Sequence, residues 1–148
     1  MDRSLNALIV VGTFHVEICR HLVDGAVSSL KKYSANALYQ IIEVPGALEI
    51  PAAISFAIMS DRETYDGYIA LGCVLKGQTD HNRYVSSAVF SALNDIAVHH
   101  AVPLGVGIIT ADTPELAMER ADMNGLNVGG GAASAMVRMV EHYRRYLG

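Results

Sequence analysis

The sequence has few cysteines and few charged residues, and each scarcity excludes a class of protein. Its 148 residues include two cysteines, Cys19 and Cys73, which fit neither a disulfide framework nor the ligand spacing of a zinc site. We interpret both as small core residues. Charged residues make up 18% of the chain, and 11 basic against 15 acidic side chains give a formal net charge of −4. Without a basic stripe, nucleic acid is not an expected partner.

Long apolar runs are also missing. No run approaches the ~18 residues that a membrane-spanning helix needs. The segment from Met1 to Ala7 lacks the charged and then apolar pattern of a signal peptide. We therefore expect a cytoplasmic protein with no membrane partner. Yet 51% of the residues are hydrophobic, which is high for one small domain and predicts that copies of the chain cover one another in a homo-oligomer.

Apolar strands alternate with helices along the whole chain. The predicted strands are 7–12, 37–44, 67–74 and 102–110, and the predicted helices begin near Val16, Ile50, Tyr84, Pro114 and Gly131. The strands are continuous apolar runs, which indicates a parallel sheet buried on both faces. The fold class is therefore α/β, a three-layer α/β/α arrangement of residues 1–148 as a single domain, with four parallel strands and helices on both faces.

In such sheets, ligands bind at the carboxyl ends of the strands. The loop after the third strand, Lys76-Gly-Gln-Thr-Asp-His81, is the most informative one. Gly77, Gln78 and Thr79 offer close backbone approach and donors to an anion at a helix N-terminus, beside a lysine. His81 can transfer protons there, since imidazole titrates near neutral pH. Alternatively, Thr79 or Asp80 only caps the helix and His81 is a surface residue.

Other candidate residues have similar alternatives. Phe14 could stack on a flat heterocycle or plug the end of the sheet. Glu49 could bind a ligand or cap a helix, and Arg120 could hold a phosphate or lie on a helix surface. His15 lies at the same edge. The sequence contains no phosphate-binding G-x-x-x-x-G-K-[ST], no G-x-G-x-x-G after a strand, no serine elbow and no acidic metal cluster, so neither a nucleotide cofactor nor a metal is expected.

Read in order, the loops resemble those of the lumazine synthase family (6,7-dimethyl-8-ribityllumazine synthases). Val44-Pro-Gly-Ala-Leu-Glu-Ile-Pro51 is similar to the family pattern V-P-G-A-[FL]-E-I-P, and Ala70 to His81, closed by Tyr84-Val85, is similar to A-L-G-x-V-I-[RK]-G-x-T-x-H-x-x-Y-V. Val10 to His15, Pro103 to Thr113 and Glu119-Arg-Ala121 follow other family blocks. The resemblance covers nearly the whole chain.

The resemblance implies a flavodoxin-like fold and an enzyme of riboflavin biosynthesis. The family condenses 5-amino-6-(D-ribitylamino)uracil with 3,4-dihydroxy-2-butanone 4-phosphate, needs no cofactor and assembles as a homopentamer or a larger shell of pentamers. By the resemblance, His81 transfers protons, Gln78, Thr79 and a neighbouring subunit's Arg120 hold the phosphate, and the pyrimidine and ribityl chain contact Phe14, Ala47, Leu48, Glu49, Cys73, Val74, Leu75 and Val106.

Four departures from the family pattern leave two other functions open. His15 stands where asparagine is usual, Asn82-Arg83 where an aromatic-acid pair is common, Val106 where phenylalanine is frequent, and Val128 where lysine is common. The first alternative is a catalytically weak paralogue that binds lumazines or flavins. The second is a flavodoxin-like module that binds a phosphosugar.

Overall fold

A computed structural model describes residues 4–77 and 81–148. The helices and strands follow one another in strict alternation until the last two helices. They are β1 (Asn6–Gly12), α1 (Val16–Tyr33), β2 (Leu38–Val44), a 3₁₀ turn (Ala47–Glu49) that leads into α2 (Ile50–Met59), β3 (Gly67–Leu75), α3 (His81–His100), β4 (Leu104–Ala111), α4 (Pro114–Ala121) and α5 (Val128–Leu147). The predicted strands and helices are confirmed, with boundaries that shift by three residues or fewer.

The four strands form one parallel sheet in the order β2-β1-β3-β4. The chain moves outward from β1 to β2 and then returns past β1 to β3, so strand order reverses between β1 and β3. One row across the sheet joins Ile42, Val10, Ala70 and Val106. The loops that follow all four strands lie at one edge, where the sequence predicted a ligand site.

Alternate residues of the central strands contribute to two separate cores, one on each face of the sheet. From β1, Ile9 and Val11 are buried in the larger core with α1, α4 and α5, whereas Leu8 and Val10 are buried in the smaller core with α2 and α3. Burial on both faces explains why β1 is a continuous apolar run. The arrangement is the predicted three-layer α/β/α, flavodoxin-like fold.

The edge strand β2 is not buried on both faces, although the sequence predicted this for every strand. Five of the seven residues of its sequence LYQIIEV are apolar or aromatic, yet Leu38, Ile41 and Ile42 are exposed. Helix α2 likewise exposes 72% of Phe56 and 78% of Met59. Apolar side chains on an open sheet edge and on an adjacent helix are characteristic of surfaces that another subunit covers.

Helix α3 faces the sheet with a stripe that only partly matches the one that its sequence predicted. Of the apolar positions that marked this helix in the sequence, Tyr84 and Ala88 are exposed, whereas Leu93 is buried as expected. The buried residues of α3 are Asn82, Ser86, Val89 and Leu93, which recur at the four- and three-residue spacing of one helix face. Because two of these four residues, Asn82 and Ser86, are polar, apolar periodicity alone does not identify this buried face.

Helices α4 and α5 begin at side-chain caps. The Thr113 hydroxyl accepts a hydrogen bond from the Leu116 N–H and so caps α4. Asn127 caps α5, which therefore begins three residues before the predicted Gly131. Among the described residues, no helix is both long and apolar enough to cross a membrane.

Candidate active site at the carboxyl edge of the sheet

The site begins where the end of β1 packs directly on the turn that follows β2. A Cβ on Gly12 would lie 2.8 Å from the carbonyl carbon of Gly46, so only glycine allows this approach. The Thr13 N–H and hydroxyl both donate to the backbone oxygen of Val44, at 3.0 and 3.3 Å. These contacts fix the loop after β1 against the Pro-Gly turn.

Phe14 extends from this fixed backbone into solvent. It is 79% exposed, so it does not plug the end of the sheet, which was the alternative to a stacking role. The His15 ring contacts the Phe14 ring edge to face, with centroids 4.9 Å apart and an interplanar angle of 85°. Burial lowers the pKa of His15 from its ordinary value of 6.5, because a less hydrated site disfavours the charged imidazolium.

The turn after β2 presents Leu48 and Glu49 at the same edge of the sheet as this aromatic pair. Ala47 is buried and anchors the 3₁₀ turn, whereas Leu48 is 52% exposed and Glu49 is also exposed. Glu49 is the residue before α2, but its carboxylate makes no capping hydrogen bond. The capping alternative for Glu49 is therefore not observed.

The end of β3 lies next to the end of β1 at the same edge of the sheet. Val74 is buried on the α3 side of the sheet and Cys73 on the α1 side, while Leu75 is partly exposed. Burial raises the pKa of the Cys73 thiol to about 12, and that of Cys19, which donates to the Gly12 backbone oxygen at 2.7 Å, to about 11. Both thiols stay protonated at neutral pH, so neither is a thiolate nucleophile.

The loop after β3 begins with Lys76, whose N–H donates to the Ala111 backbone oxygen at 3.0 Å. Among the described atoms, nothing lies within 4 Å of the position that a Cβ on Gly77 would occupy. The predicted anion-binding residues Gln78 and Thr79, together with Asp80, lie outside the described residues. His81 is the first residue of α3 and is exposed.

Polar side chains from both helical layers meet at the end of β4. Ser86 of α3 and Thr110 of β4 share a hydroxyl hydrogen bond of 2.8 Å. From the other face, the half-buried Arg120 donates from Nη1 to the Thr110 backbone oxygen at 2.6 Å. The guanidinium is therefore held at the carboxyl edge by protein contacts alone.

The structure does not bring all the predicted residues together within one chain. Phe14 and Leu48 follow β1 and β2, whereas Arg120 lies at the end of β4. Three strand spacings, about 14 Å, separate β2 from β4. Val106 lies in the row of Val10, four residues or about 13 Å before Thr110 along the strand.

The charges at this edge suit a substrate with both a phosphate and a polar ring. Lys76 and Arg120 supply positive charge on the β3 and β4 side, whereas Glu49 supplies a carboxylate on the β2 side. A phosphate favours the first group and an N–H of a heterocycle favours the second. Within residues 4–77 and 81–148, no group of three or more His, Cys, Asp or Glu side chains could hold a metal ion.

Comparison with known proteins agrees with this arrangement. The family model of 6,7-dimethyl-8-ribityllumazine synthase matches residues 4–144. The chain belongs to the 6,7-dimethyl-8-ribityllumazine synthase family. This family membership confirms the resemblance that the loop motifs indicated.

Similar proteins of this family come from several bacteria. A 6,7-dimethyl-8-ribityllumazine synthase of Bartonella tribocorum is 44% identical over 146 residues, which cover 99% of this chain and 95% of the relative. A second, from Bartonella henselae, is 42% identical over 97% of this chain and 92% of its own length. A protein named 6,7-dimethyl-8-ribityllumazine synthase 1 in Rhodopseudomonas palustris is 46% identical over 93% of this chain and 85% of its own length.

Sequence reasoning noted Asn82 only as a departure from the family pattern and did not predict it as a site residue. Asn82 follows His81 and is buried, although an asparagine at the start of a helix is ordinarily solvated. Its spacing of four from Ser86 and seven from Val89 was the available signal. That signal carries weight only once the Ser86–Thr110 contact shows which face of α3 meets the sheet.

Proposed function

We propose that this protein condenses 5-amino-6-(D-ribitylamino)uracil with 3,4-dihydroxy-2-butanone 4-phosphate. The product is 6,7-dimethyl-8-ribityllumazine, formed with release of phosphate and water in the penultimate step of riboflavin biosynthesis. The observation that carries this proposal is membership of the family across residues 4–144. The exposed ring, the carboxylate and the basic groups at the carboxyl edge fit the two substrates.

The uracil substrate would occupy the β1 and β2 side of the edge. The exposed ring of Phe14 is available to stack on the pyrimidine, and Glu49 offers a carboxylate to its N–H groups or to ribityl hydroxyls. Ala47, Leu48, Val74 and Leu75 would complete the wall around the ring and chain. Because the Cys73 side chain is buried in the α1 core, its contribution would come from its backbone.

The phosphoketone would occupy the β3 and β4 side. Gln78 and Thr79 would donate to its phosphate, with Arg120 of a neighbouring subunit supplying charge that stabilises the departing phosphate. His81 would move the protons that imine formation, elimination and ring closure require. Much of the rate would come from holding two reactive partners together, a proximity effect worth about 7–11 kcal/mol in favourable cases.

The proposed assembly is a homopentamer. Its support is the separation of Leu48, which follows the edge strand β2, from Arg120 and Val106 at the opposite edge strand β4. A head-to-tail contact that sets the β4 edge of one subunit beside the β2 edge of the next would complete every site and close a ring. The exposed apolar residues of β2 and α2 would be buried in the same contact.

The proposal also includes domain organisation and location. Residues 1–148 would fold as one domain that contributes to two sites. We expect the reaction in the cytoplasm, because a phosphorylated substrate carries charge that does not cross a lipid bilayer unaided.

The test is to mix purified protein with both substrates and follow lumazine absorbance against a control without protein. Turnover above that control, with a large loss in Arg120→Ala, would support the enzyme. A rate no greater than the control, with tight binding of the product lumazine, would contradict catalysis and indicate a binding protein.

A further inference from the structure

Asn82 is a buried amide whose oxygen accepts no hydrogen bond from the part of the chain that the structure describes. The residue is 8% exposed, and its Oδ1 finds no partner among the described residues. A buried polar atom without a partner loses its hydration and gains nothing in return. Such atoms are rare in native proteins and call for a specific explanation.

The position of Asn82 on α3 shows where this oxygen lies. Asn82 and Ser86 share the sheet-facing side of α3, and the Ser86 hydroxyl bonds that of Thr110 at 2.8 Å. Thr110 pairs with Val74 across β3 and β4. Asn82 lies one helical turn, about 6 Å, closer to the start of α3 than Ser86 does. Because helical side chains lean toward the helix N-terminus, the amide lies at the carboxyl ends of β3 and β4.

The chemistry of Asn82 Oδ1 restricts which groups can bind to it. An amide oxygen accepts hydrogen bonds and cannot donate them, so the partner must carry an O–H or N–H group. Phosphate oxygens, which are acceptors when ionised, do not qualify. The phosphoketone carries one free hydroxyl, on the carbon next to the one that bears the phosphate. The ribityl hydroxyls belong to the β1 and β2 side, across the edge from Asn82.

We propose that Asn82 binds the free hydroxyl of the phosphorylated hydroxyketone through its Oδ1. This inference rests on the proposed function, since it assigns a residue to one of that reaction's substrates. It explains why a buried face that continues as Val89 and Leu93 begins with an amide. Asn82 orients the carbon that precedes the leaving phosphate, a task distinct from holding the phosphate itself.

The experiment compares steady-state kinetics of wild type, Asn82→Leu and Asn82→Ala, with each substrate varied in turn. We expect KM for the phosphoketone to rise about three- to tenfold, as for loss of one neutral hydrogen bond, with KM for the aminouracil unchanged. The Tm of Asn82→Leu should equal or exceed that of wild type, because the variant removes an unpaired buried atom. Competitive inhibition by inorganic phosphate should not change.

Ser87→Ala is the control, since it removes a hydroxyl from an exposed position of the same helix. It should leave Tm and both KM values unchanged. If Asn82→Leu does not fold, Asn82→Ala gives the decisive KM values. Unchanged phosphoketone KM in a folded variant, or equal changes for both substrates, would overturn the inference. A wild type without turnover would instead overturn the proposed function, and the inference with it.

Discussion

The Arg120 guanidinium donates from Nη1 to the backbone oxygen of Thr110 at 2.6 Å. The Thr110 side chain is held from the opposite face of the sheet by Ser86. Side chains from the helices on both faces of the sheet thus contact Thr110, the second-last residue of β4. Because Arg120 is positioned by the protein itself, ordering it costs little when an anion arrives.

Replacing Arg120 should weaken binding of the phosphoketone in particular. We expect Arg120→Ala to raise KM for that substrate about 10- to 100-fold, as for loss of charged hydrogen bonds. Arg120→Lys should recover part of the loss, since it restores charge without the planar donor pair. Steady-state kinetics with each substrate varied provide the measurement. Arg138→Ala, an exposed arginine of α5, is the control, and an equal effect there would remove the assignment.

Mixing two impaired variants tests whether Arg120 serves the neighbouring subunit. When Arg120→Ala and His81→Ala chains are unfolded together and reassembled in equal amounts, some sites combine His81 from one chain with Arg120 from the next. With the phosphoketone well below its KM, where both variants are impaired, about one quarter of wild-type turnover should return, because half of the subunits keep His81 and half of their neighbours keep Arg120. If no activity returns beyond the mean of the two variants, both residues act within one chain.

His81 should matter to turnover more than to binding. We expect His81→Ala to lower kcat about 10- to 1,000-fold without abolishing it, because proximity still operates when proton transfer passes to water. Lumazine absorbance under saturating substrates measures the change. His100→Ala, an exposed histidine at the end of the same helix, should have no effect. A fall to the rate without protein would assign His81 a larger role than proton transfer alone.

The sheet could be predicted from the sequence because its central strands are buried on both faces and so are continuously apolar. The same rule misjudged β2, where Leu38 and Ile41 are apolar but exposed. It also misjudged part of α3, where Tyr84 is exposed. A side chain that packs against its own core and one suited to packing against another subunit have the same composition. Periodicity within one chain cannot distinguish them.

Only part of the candidate site could be predicted from the sequence, for a related reason. Phe14 and Glu49 were predicted as site residues because they follow strands at the carboxyl edge. Asn82 was not, because its importance depends on a missing donor and on the contact between Ser86 and Thr110. Those are properties of packing between segments far apart in the chain, which no local pattern contains.

His15 should make stability depend on pH. Burial lowers its pKa in the folded protein below the ordinary 6.5, so the unfolded chain takes up the proton first as the pH falls. The free energy of unfolding should therefore decrease through this window, between 6.5 and the lower folded value, and be fully retained above it. Tm of wild type and His15→Asn, compared from about pH 7.5 to about pH 5, should diverge with wild type the less stable at low pH. His21→Asn, which replaces a histidine within α1, is the control for the substitution itself. Parallel curves of Tm against pH for wild type and His15→Asn would contradict the prediction.

Ala101 ends α3 in a backbone conformation that suits glycine better. Its φ is 51°, and the Val102 N–H donates back to the Ala97 oxygen at 3.2 Å, which is the closing bond of a helix C-terminus that usually contains glycine. Ala101→Gly should raise the free energy of unfolding by about 1 kcal/mol, because a Cβ in the left-handed region is strained. Thermal unfolding at one fixed protein concentration measures this as a rise in Tm of about 2–4 °C. Ala88→Gly, in the exposed middle of α3, should lower stability by about 1 kcal/mol, so the same substitution must act with opposite sign at the two positions. A loss of stability at both would show that the left-handed position carries no strain that glycine relieves.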